Sequence, residues 1–359
     1  MSPFRLQNVV QRYREQKSGA PIEALRVRAL SIEAGEILTV VGPNGSGKST
    51  LLELLAFLRP PAEGRVLFEG ADVWERKTDL AARRAVPILL QKTVLFSTSV
   101  LKNVLFGFRV RGLSSQEAQA RALAALRLVH LEHLAHRRHD ELSGGEQRRT
   151  ALARILALDS RVLVLDEPTA SLDRESEQVI EDLIRRLNRE RGVTLILASH
   201  NRGQAAALST RVVTLLGGKL VPESLDNLLP GTLRRVEGGF EFTERGGWTR
   251  RFAAAELTED AWEGIGPVEG PVQLAISSAS FEVGAAGATS GALDGVVDSV
   301  GSSDGSCRIR VRLGNGPSLY AEMPRAEYAR LGLNLGARVA LSLKPGAVRV
   351  FGARSGTAP

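Results

Sequence analysis

The stretch that decides the fold reads Gly42-Pro43-Asn44-Gly45-Ser46-Gly47-Lys48-Ser49-Thr50. The apolar run Leu38–Val41 precedes it and predicts a buried strand, and a helical stretch follows it. Glycines let the backbone curl so that successive N–H groups point into one concavity, which suits phosphate oxygens. The stretch therefore predicts a nucleotide-binding loop, with Lys48 against the β- and γ-phosphates and the Ser49 hydroxyl on Mg²⁺.

A second apolar run, Val162–Leu165, ends in two adjacent acids, Asp166 and Glu167. Open α/β sheets bind ligands at the carboxyl ends of their strands, where these acids would lie. A carboxylate there can hold Mg²⁺ through water, and a second one can polarise the water that attacks the γ-phosphate. We expect Asp166 to take the first role and Glu167 the second, which makes the site an ATPase with ATP and Mg²⁺ as its cofactors.

Shortly before the second run lies the segment Leu142-Ser143-Gly144-Gly145-Glu146-Gln147. A serine and two glycines at a helix start expose backbone N–H groups at the positive end of the helix, which is a second anion site. In this position the segment resembles the signature of ABC ATPases. That resemblance implies that the segment completes the ATP pocket of a partner subunit, most simply a second copy of this chain.

Four further positions resemble functional elements of the same family. Gln91 resembles the glutamine that joins Mg²⁺ and the attacking water to the membrane-facing part of the domain. Ser171 and Asp173 resemble the D-loop at the dimer interface, and His200 resembles the switch histidine that contacts the γ-phosphate. Tyr13 resembles the aromatic residue that stacks on adenine.

The family resemblance covers roughly residues 4 to 220 and implies an α/β fold. We expect a P-loop ABC ATPase domain over residues 1–226, with a RecA-like core and an α-helical subdomain at about 92–150. The helix expected after the paired acids covers Glu175–Arg191, where apolar residues recur at helical spacing.

After residue 226 short, alternating, glycine-punctuated segments predict an all-β region. Internal similarity suggests two tandem copies, at 227–284 and 292–353, joined by a linker at 285–291. The second copy resembles the OB-like TOBE barrel that follows importer ATPases. The similar segments are Leu229–Leu233 with Leu293–Val297, and Val272–Ile276 with Val339–Leu343.

Composition narrows the class of protein. The chain has 359 residues, 43% of them hydrophobic, and its one cysteine, Cys307, cannot form an internal disulfide. We find no apolar run of about 18 residues, the length that spans a bilayer, so a transporter of this kind needs separate permease subunits. The net charge is +7, but the arginines are interleaved with acidic residues, and no basic stretch contains aromatic residues that could stack on bases. This pattern disfavours specific nucleic-acid binding.

Together these features favour a transporter subunit over a soluble ABC ATPase, because the chain has one cassette, no heptads and no CxxC pair. The TOBE resemblance implies import. We expect a peripheral protein on the cytoplasmic face of the cell membrane, working with permease subunits and indirectly with an extracytoplasmic solute-binding protein.

The expected solute rests on a weaker resemblance. Val94–Val104 and Phe108–Gly112 resemble the helical subdomain of tungstate/molybdate importers. However, Thr289–Ala292 lacks the arginine and asparagine with which that family's barrel often opens. Lys344 and Ser342 are candidate anion contacts in the barrel. Sulfate, ferric iron, polyamines and sugars remain alternative solutes.

Overall fold

The computed structural model describes residues 3–14, 20–75, 79–109, 111, 114–170, 172–221, 225–257, 270–287, 292–303 and 305–352. The chain divides into two compact units between Leu220 and Val221. The first unit contains helices between its strands, and the second consists mainly of strands. This sequence of elements confirms the expected α/β domain followed by an all-β region.

Ten strands form the sheet of the first unit. Their order across the sheet is β5-β4-β1-β2-β10-β9-β3-β8-β7-β6. The five strands from β9 to β6 pair in parallel, whereas β1, β2, β4 and β5 form antiparallel pairs. The strands are β1 (Phe4–Arg14), β2 (Pro21–Ile32), β3 (Ile37–Val41), β4 (Glu63–Phe68), β5 (Ala71–Asp72), β6 (Ile88–Leu89), β7 (Val162–Asp166), β8 (Thr194–Ser199), β9 (Arg211–Leu216) and β10 (Lys219–Val221).

Helices cover both faces of the parallel part of this sheet. In β7, Val162 and Val164 face a core that includes the first helix, while Leu163 and Leu165 face a second core with the later helices. A strand buried on both faces needs a continuous apolar run, which is what the sequence shows here. The helices are α1 (Lys48–Leu55), α2 (Asp79–Ala85), α3 (Val100–Arg109), α4 (Ser115–Leu128), α5 (Gly144–Leu156), α6 (Arg174–Arg191) and α7 (Arg202–Leu208).

The second unit contains two five-stranded sheets, ordered β13-β12-β11-β14-β20 and β15-β19-β16-β17-β18. One apolar core draws side chains from both sheets. The elements are β11 (Leu225–Val236), β12 (Gly239–Glu244), β13 (Thr249–Ala253), β14 (Gly270–Ser277), β15 (Phe281–Ala285), β16 (Leu293–Ser303), β17 (Ser306–Leu313), β18 (Ser318–Pro324), α8 (Arg325–Leu331), β19 (Arg338–Leu343) and β20 (Val348–Gly352).

The two sheets repeat the same pairing, which supports a duplication. Gly231 in β11 pairs with Val272 in β14, and Gly295 in β16 pairs with Val339 in β19. A Cβ on either glycine would meet neighbouring atoms at 2.3 and 2.5 Å respectively, so no side chain fits at either position. The shared glycine in the two similar segments therefore has a packing reason.

The last strand of each copy, however, belongs to the sheet of the other copy. β15 pairs with β19, and β20 pairs with β14. The expected division at 285–291 thus describes the sequence repeat rather than two separately folded bodies. Ala285 is the last residue of β15, and residues 288–291 lie outside the described residues.

Candidate functional site

The predicted nucleotide-binding loop lies between β3 and α1. Gly45 and Gly47 have φ angles of 76° and 101°, a conformation that glycine adopts without strain. A Cβ on Gly42 would lie 2.2 Å from the carbonyl oxygen of Leu215, so this position also requires glycine. The Lys48 Nζ donates to the carbonyl oxygens of Gly42 at 2.8 Å and Pro43 at 3.1 Å. The loop therefore wraps around the lysine ammonium.

The paired acids at the end of β7 are buried beside this lysine. Asp166 is 3% exposed and Glu167 is 7% exposed. Burial raises the pKa of Asp166, and the Glu167 charge adds to the rise, while a hydrogen bond from Ser49 and the charge of Lys48 oppose it. Burial lowers the pKa of Lys48, against the charges of Glu167 and Asp166. The site thus concentrates the Lys48 ammonium and two carboxyl groups out of water.

One atom of this group has no protein partner. Asp166 Oδ1 is buried and accepts no hydrogen bond. A buried carboxylate oxygen without a donor is costly unless something else satisfies it. The Ser49 hydroxyl forms a hydrogen bond with the same carboxyl group. The hydroxyl and Asp166 Oδ1 are hard oxygen ligands of the kind that Mg²⁺ prefers. The residues present therefore fit a magnesium ion.

Two further predicted residues contact Glu167 directly. Gln91 Nε2 donates to one carboxylate oxygen at 3.3 Å, and His200 Nδ1 lies 3.4 Å from the other. Gln91 follows β6, Glu167 follows β7 and His200 follows β8, and these three strands are neighbours in the parallel sheet. Glu167 itself has a φ of 48°, an uncommon conformation for a residue with a side chain. The sheet edge thus brings together three side chains that are far apart in the sequence.

Tyr13 lies next to the end of the loop. Its hydroxyl is 3.3 Å from the Thr50 Oγ1, and the Arg59 guanidinium lies 5.1 Å from the centre of its ring. A half-buried aromatic ring beside a phosphate-binding loop is suited to stacking on a base. Residues 15–19, which follow this strand, lie outside the described residues.

The signature segment forms the start of α5. Ser143 Oγ accepts from the Glu146 N–H at 3.3 Å, and Glu146 Oε2 accepts from the Ser143 N–H at 2.8 Å, which is a capping box. The backbone hydrogen bond from Ser143 lowers the pKa of Glu146. Gln147 Nε2 donates to the Leu142 carbonyl at 3.1 Å. Ser143 and Gly144 are exposed, and a Cβ on Gly144 would meet nothing within 4 Å, so this helix end is open to a ligand.

The expected D-loop is described in part. Asp173 caps α6: its carboxylate accepts from the Ser176 N–H at 2.8 Å and from the Ser176 Oγ at 3.1 Å. The backbone hydrogen bond lowers the pKa of Asp173. A Cβ on Gly145 would lie 3.5 Å from Leu172, so this loop and the signature segment are adjacent within one chain. Ser171 lies outside the described residues.

One residue of this site was missed in the sequence. Arg148 is 4% exposed and donates to main-chain oxygens beside Gln91 and Glu167. A signal was present, because Arg148 occupies the face of α5 that Leu152 and Ile155 bury. An arginine at an apolar position of a helix indicates a buried partner.

The barrel region contains a cavity of about 760 Å³. Of the described residues that line it, Glu282, Glu322 and Glu327 are acidic and Lys344 is the cation, whose Nζ donates to the Ala279 carbonyl at 3.0 Å. Ser342, the other candidate anion contact, pairs with Glu282 across two strands. Three carboxyls beside one lysine repel an anion, so this cavity is unsuited to the expected oxyanion.

In the part of the chain that the structure describes, none of the helices is long and apolar enough to cross a membrane.

Comparison with known proteins gives two family matches. Residues 25–170 match the ABC transporter family, and residues 288–350 match the TOBE domain. A probable anion import ATP-binding protein of Haloferax volcanii is 41% identical over 218 residues, covering 56% of this chain and 74% of that protein. An Fe(3+) ions import ATP-binding protein of Rhizobium etli is 39% identical over 206 residues, covering 57% of each chain.

Solved structures agree. A dimeric post-hydrolysis structure of the ATP-binding cassette MJ0796, bound to ADP and Pi, matches with a TM-score of 0.57 and 30% identity, covering 61% of this chain and 97% of that one. The chain belongs to the ABC transporter ATP-binding proteins and is an ATPase of the kind that carries a TOBE domain.

Proposed function

We propose that the chain is the ATP-hydrolysing subunit of an ABC importer. The observation that carries this proposal is the arrangement around Glu167, whose carboxylate contacts both Gln91 and His200 at the sheet edge that holds Lys48. A carboxylate fixed between an amide and an imidazole, next to a phosphate-binding lysine, is suited to orienting a water molecule for attack on a phosphoryl group.

The roles follow from the geometry. Lys48 would exchange its two carbonyl contacts for the β- and γ-phosphates of ATP, which satisfy the ammonium better because they are charged. Glu167 would accept a hydrogen bond from the attacking water, and His200 would contact the γ-phosphate. Tyr13 would stack on the adenine, and the N–H groups of the loop Gly42, Pro43, Asn44, Gly45, Ser46, Gly47, Lys48, Ser49 and Thr50 would surround the phosphates.

Ser49, Gln91 and Asp166 would hold Mg²⁺. When bound, this ion neutralises charge on the phosphate oxygens. The unpaired Oδ1 of Asp166 supports this assignment, because the ion would satisfy an atom that the protein leaves without a donor.

A second copy of the chain would complete each ATP site. The signature residues Leu142, Ser143, Gly144, Gly145, Glu146 and Gln147 place an open helix end next to the D-loop residue Asp173, and Ser171 belongs to the same loop in the sequence. An exposed helix N-terminus suits the phosphates of ATP held by a partner. The dimeric form of the MJ0796 cassette supports the same arrangement.

An exposed apolar patch suits contact with a permease. Leu90, Val94, Phe96 and Phe106 are 42–60% exposed, and the Phe96 and Phe106 rings lie 4.3 Å apart. Leu90 and Val94 lie on either side of Gln91 in the sequence, so a partner that contacts them would be linked to the catalytic site. We infer a peripheral location on the cytoplasmic face of the cell membrane, with an extracytoplasmic solute-binding protein as an indirect partner and no specific nucleic acid.

For the solute we propose a tungstate/molybdate-type oxyanion. Similarity to the probable anion import ATP-binding protein of Haloferax volcanii supports an anion as the solute. Similarity to the Fe(3+) ions import ATP-binding protein of Rhizobium etli makes ferric iron an alternative. Sulfate, polyamines and sugars are further alternatives. The acidic cavity of the barrel gives no support for control of transport by the same anion.

The test is elemental uptake. Cells that carry the wild-type chain, Lys48→Ala or the control Arg189→Ala would be compared for tungsten, molybdenum, sulfur and iron by mass spectrometry. Arg189 is 78% exposed at the end of α6, so its loss should leave uptake unchanged. We expect cells with Lys48→Ala, but not cells with Arg189→Ala, to lose uptake of tungsten or molybdenum.

Other outcomes redirect the proposal. If Lys48→Ala lost uptake of iron alone or sulfur alone, the proposed solute would change and the proposed importer function would stand. Unchanged uptake of all four elements would contradict the oxyanion proposal. If organic solutes were unaffected as well, a soluble non-transport ATPase would become the better explanation.

A further inference from the structure

Arg148 is a buried charge, among the described residues of the first unit, that none of the roles above explains. It lies on α5, five residues after Ser143, and only 4% of it is exposed. A guanidinium keeps its charge under all ordinary conditions, so burial is tolerated only when its N–H groups are well satisfied.

Every hydrogen bond that the structure shows for this side chain goes to one of two neighbouring segments. The first segment, Leu90–Thr93, follows β6, and the second, Asp166–Pro168, ends β7. In the first segment, Nη1 donates to the carbonyls of Leu90 at 2.5 Å and Gln91 at 2.8 Å and to the Thr93 Oγ1 at 3.2 Å. In the second segment, Nη2 donates to the carbonyls of Asp166 at 2.5 Å and Glu167 at 2.9 Å, and Nε donates to the Pro168 carbonyl at 3.5 Å.

Apart from the bond to the Thr93 hydroxyl, these hydrogen bonds hold main-chain carbonyls rather than side chains. The planar guanidinium offers five donors in a rigid fork, so it defines the distance and angle between the two segments more strictly than an ammonium could. The side chains of Gln91 and Glu167 project from these same segments and meet at 3.3 Å. Their contact therefore depends on where Arg148 holds their backbones.

We propose that Arg148 is a positioning residue that fixes the Gln91 and Glu167 backbones to the signature helix. It touches neither ATP nor the reacting water. Because α5 begins with the signature segment, a displacement of that helix end by a partner's ATP is transmitted through Arg148 to the residues that orient the water. This step rests on the proposed ATPase dimer, while the contacts themselves lie within one chain.

The test separates catalysis from binding and from folding. Full-length wild type, Arg148→Lys and Arg148→Gln would be compared for kcat with Mg²⁺, for the dissociation constant of a fluorescent ATP analogue, and for the unfolding temperature. The kcat would be calculated per chain able to bind the analogue, so that misfolded material does not count. Lysine keeps the charge and loses the fork, whereas glutamine loses the charge and keeps two N–H donors.

We expect kcat to fall about 100-fold in both variants, the scale of a small misplacement of catalytic groups, while the dissociation constant stays at its wild-type value. The matched control is Arg149→Lys. Arg149 is the next residue of the same helix, is half-buried, and donates a single 3.4 Å hydrogen bond to the Val129 carbonyl, away from both segments. Its kcat should equal that of wild type.

Two results would overturn the inference. A wild-type kcat in Arg148→Lys and Arg148→Gln, with only a lower unfolding temperature, would show that the contacts serve stability alone. An equal loss of kcat in Arg149→Lys would show that the helix as a whole, rather than this guanidinium, matters. A wild-type chain that binds the analogue without hydrolysing ATP would instead refute the proposed function and this inference with it.

Discussion

Replacing Glu167 with glutamine tests the catalytic site with the smallest change in shape. The glutamine amide has nearly the volume of the carboxylate, and its oxygen can still accept the 3.3 Å hydrogen bond from Gln91 Nε2. What disappears is the negative charge and the ability to take a proton from water. The position is 7% exposed, so solvent cannot easily replace the lost group.

The magnitude follows from these two facts. A positioned general base contributes about 10²- to 10⁴-fold to a rate, which is about 2.7–5.4 kcal/mol of activation free energy. ATP binding should persist, because the loop and Lys48 are unchanged. Removal of a carboxylate charge near the lysine also favours the anionic nucleotide. We therefore expect Glu167→Gln to bind ATP, hydrolyse it at least 100-fold more slowly, and remain as a closed dimer.

Size-exclusion chromatography with ATP and Mg²⁺ is the assay, alongside phosphate release. Wild type should elute mostly as a monomer after turnover, and Glu167→Gln as a dimer. Glu190→Gln makes the same chemical change at a side chain that is 55% exposed at the end of α6, and it should behave as wild type. A Glu167→Gln chain that stays monomeric with ATP, or that hydrolyses it at the wild-type rate, would refute the assigned role.

The remaining predictions concern the barrel and the metal ligand. The Asn227 side chain donates to the Tyr320 carbonyl at 2.9 Å and accepts from the Tyr320 N–H at 2.6 Å. Asn227→Ala should therefore lower the free energy of unfolding of the second unit by about 1–3 kcal/mol, measured by chemical denaturation. Asn334→Ala, at an exposed position, is the control, and an equal loss of stability in both variants would contradict the reasoning. Because burial raises the pKa of Asp166, Mg²⁺-dependent turnover should fall with decreasing pH already above about pH 4, where an exposed aspartate is still ionised. Between that value and the raised pKa the metal-free folded state binds the extra proton, so its unfolding temperature should rise as the pH falls, and this rise should be absent in Asp166→Asn; a rise of the same size in that variant would show that another group is responsible.

Local patterns in the sequence were sufficient for the nucleotide-binding loop and for the strands that position it. Val162–Leu165 is apolar without interruption, and the only polar residue of Leu38–Val41 is the buried Thr39. Such runs suit strands buried on both faces, and the structure has β3 and β7 there. Only the structure explains why position 42 requires glycine: a Cβ there would clash with the Leu215 carbonyl. The sequence signal was local, whereas this steric cause comes from a strand far along the chain.

The apolar face of α5 indicates that Arg148 is buried, but the partners of its side chain could not be predicted in the same way. All but one of its acceptors are main-chain carbonyls, which every residue has, and those of Gln91 and Asp166 are 57 and 18 residues away from it in the chain. No side-chain pattern marks such a partner. The same holds for Asn227, whose amide mimics a strand neighbour for Tyr320 across 93 residues.

The exchange of strands in the barrel region limits what its sequence repeat can mean. The repeat predicts two similar sheets, and the equivalent pairs Gly231 with Val272 and Gly295 with Val339 agree with it. Yet each sheet is completed by a strand of the other copy, and the two sheets share one apolar core. A cut between the copies would leave each half with an unpaired sheet edge and an exposed core face, a state that favours aggregation. We therefore expect the duplicated unit to be stable only as a pair, and a boundary drawn at the TOBE match of 288–350 would separate β15 from the sheet it completes.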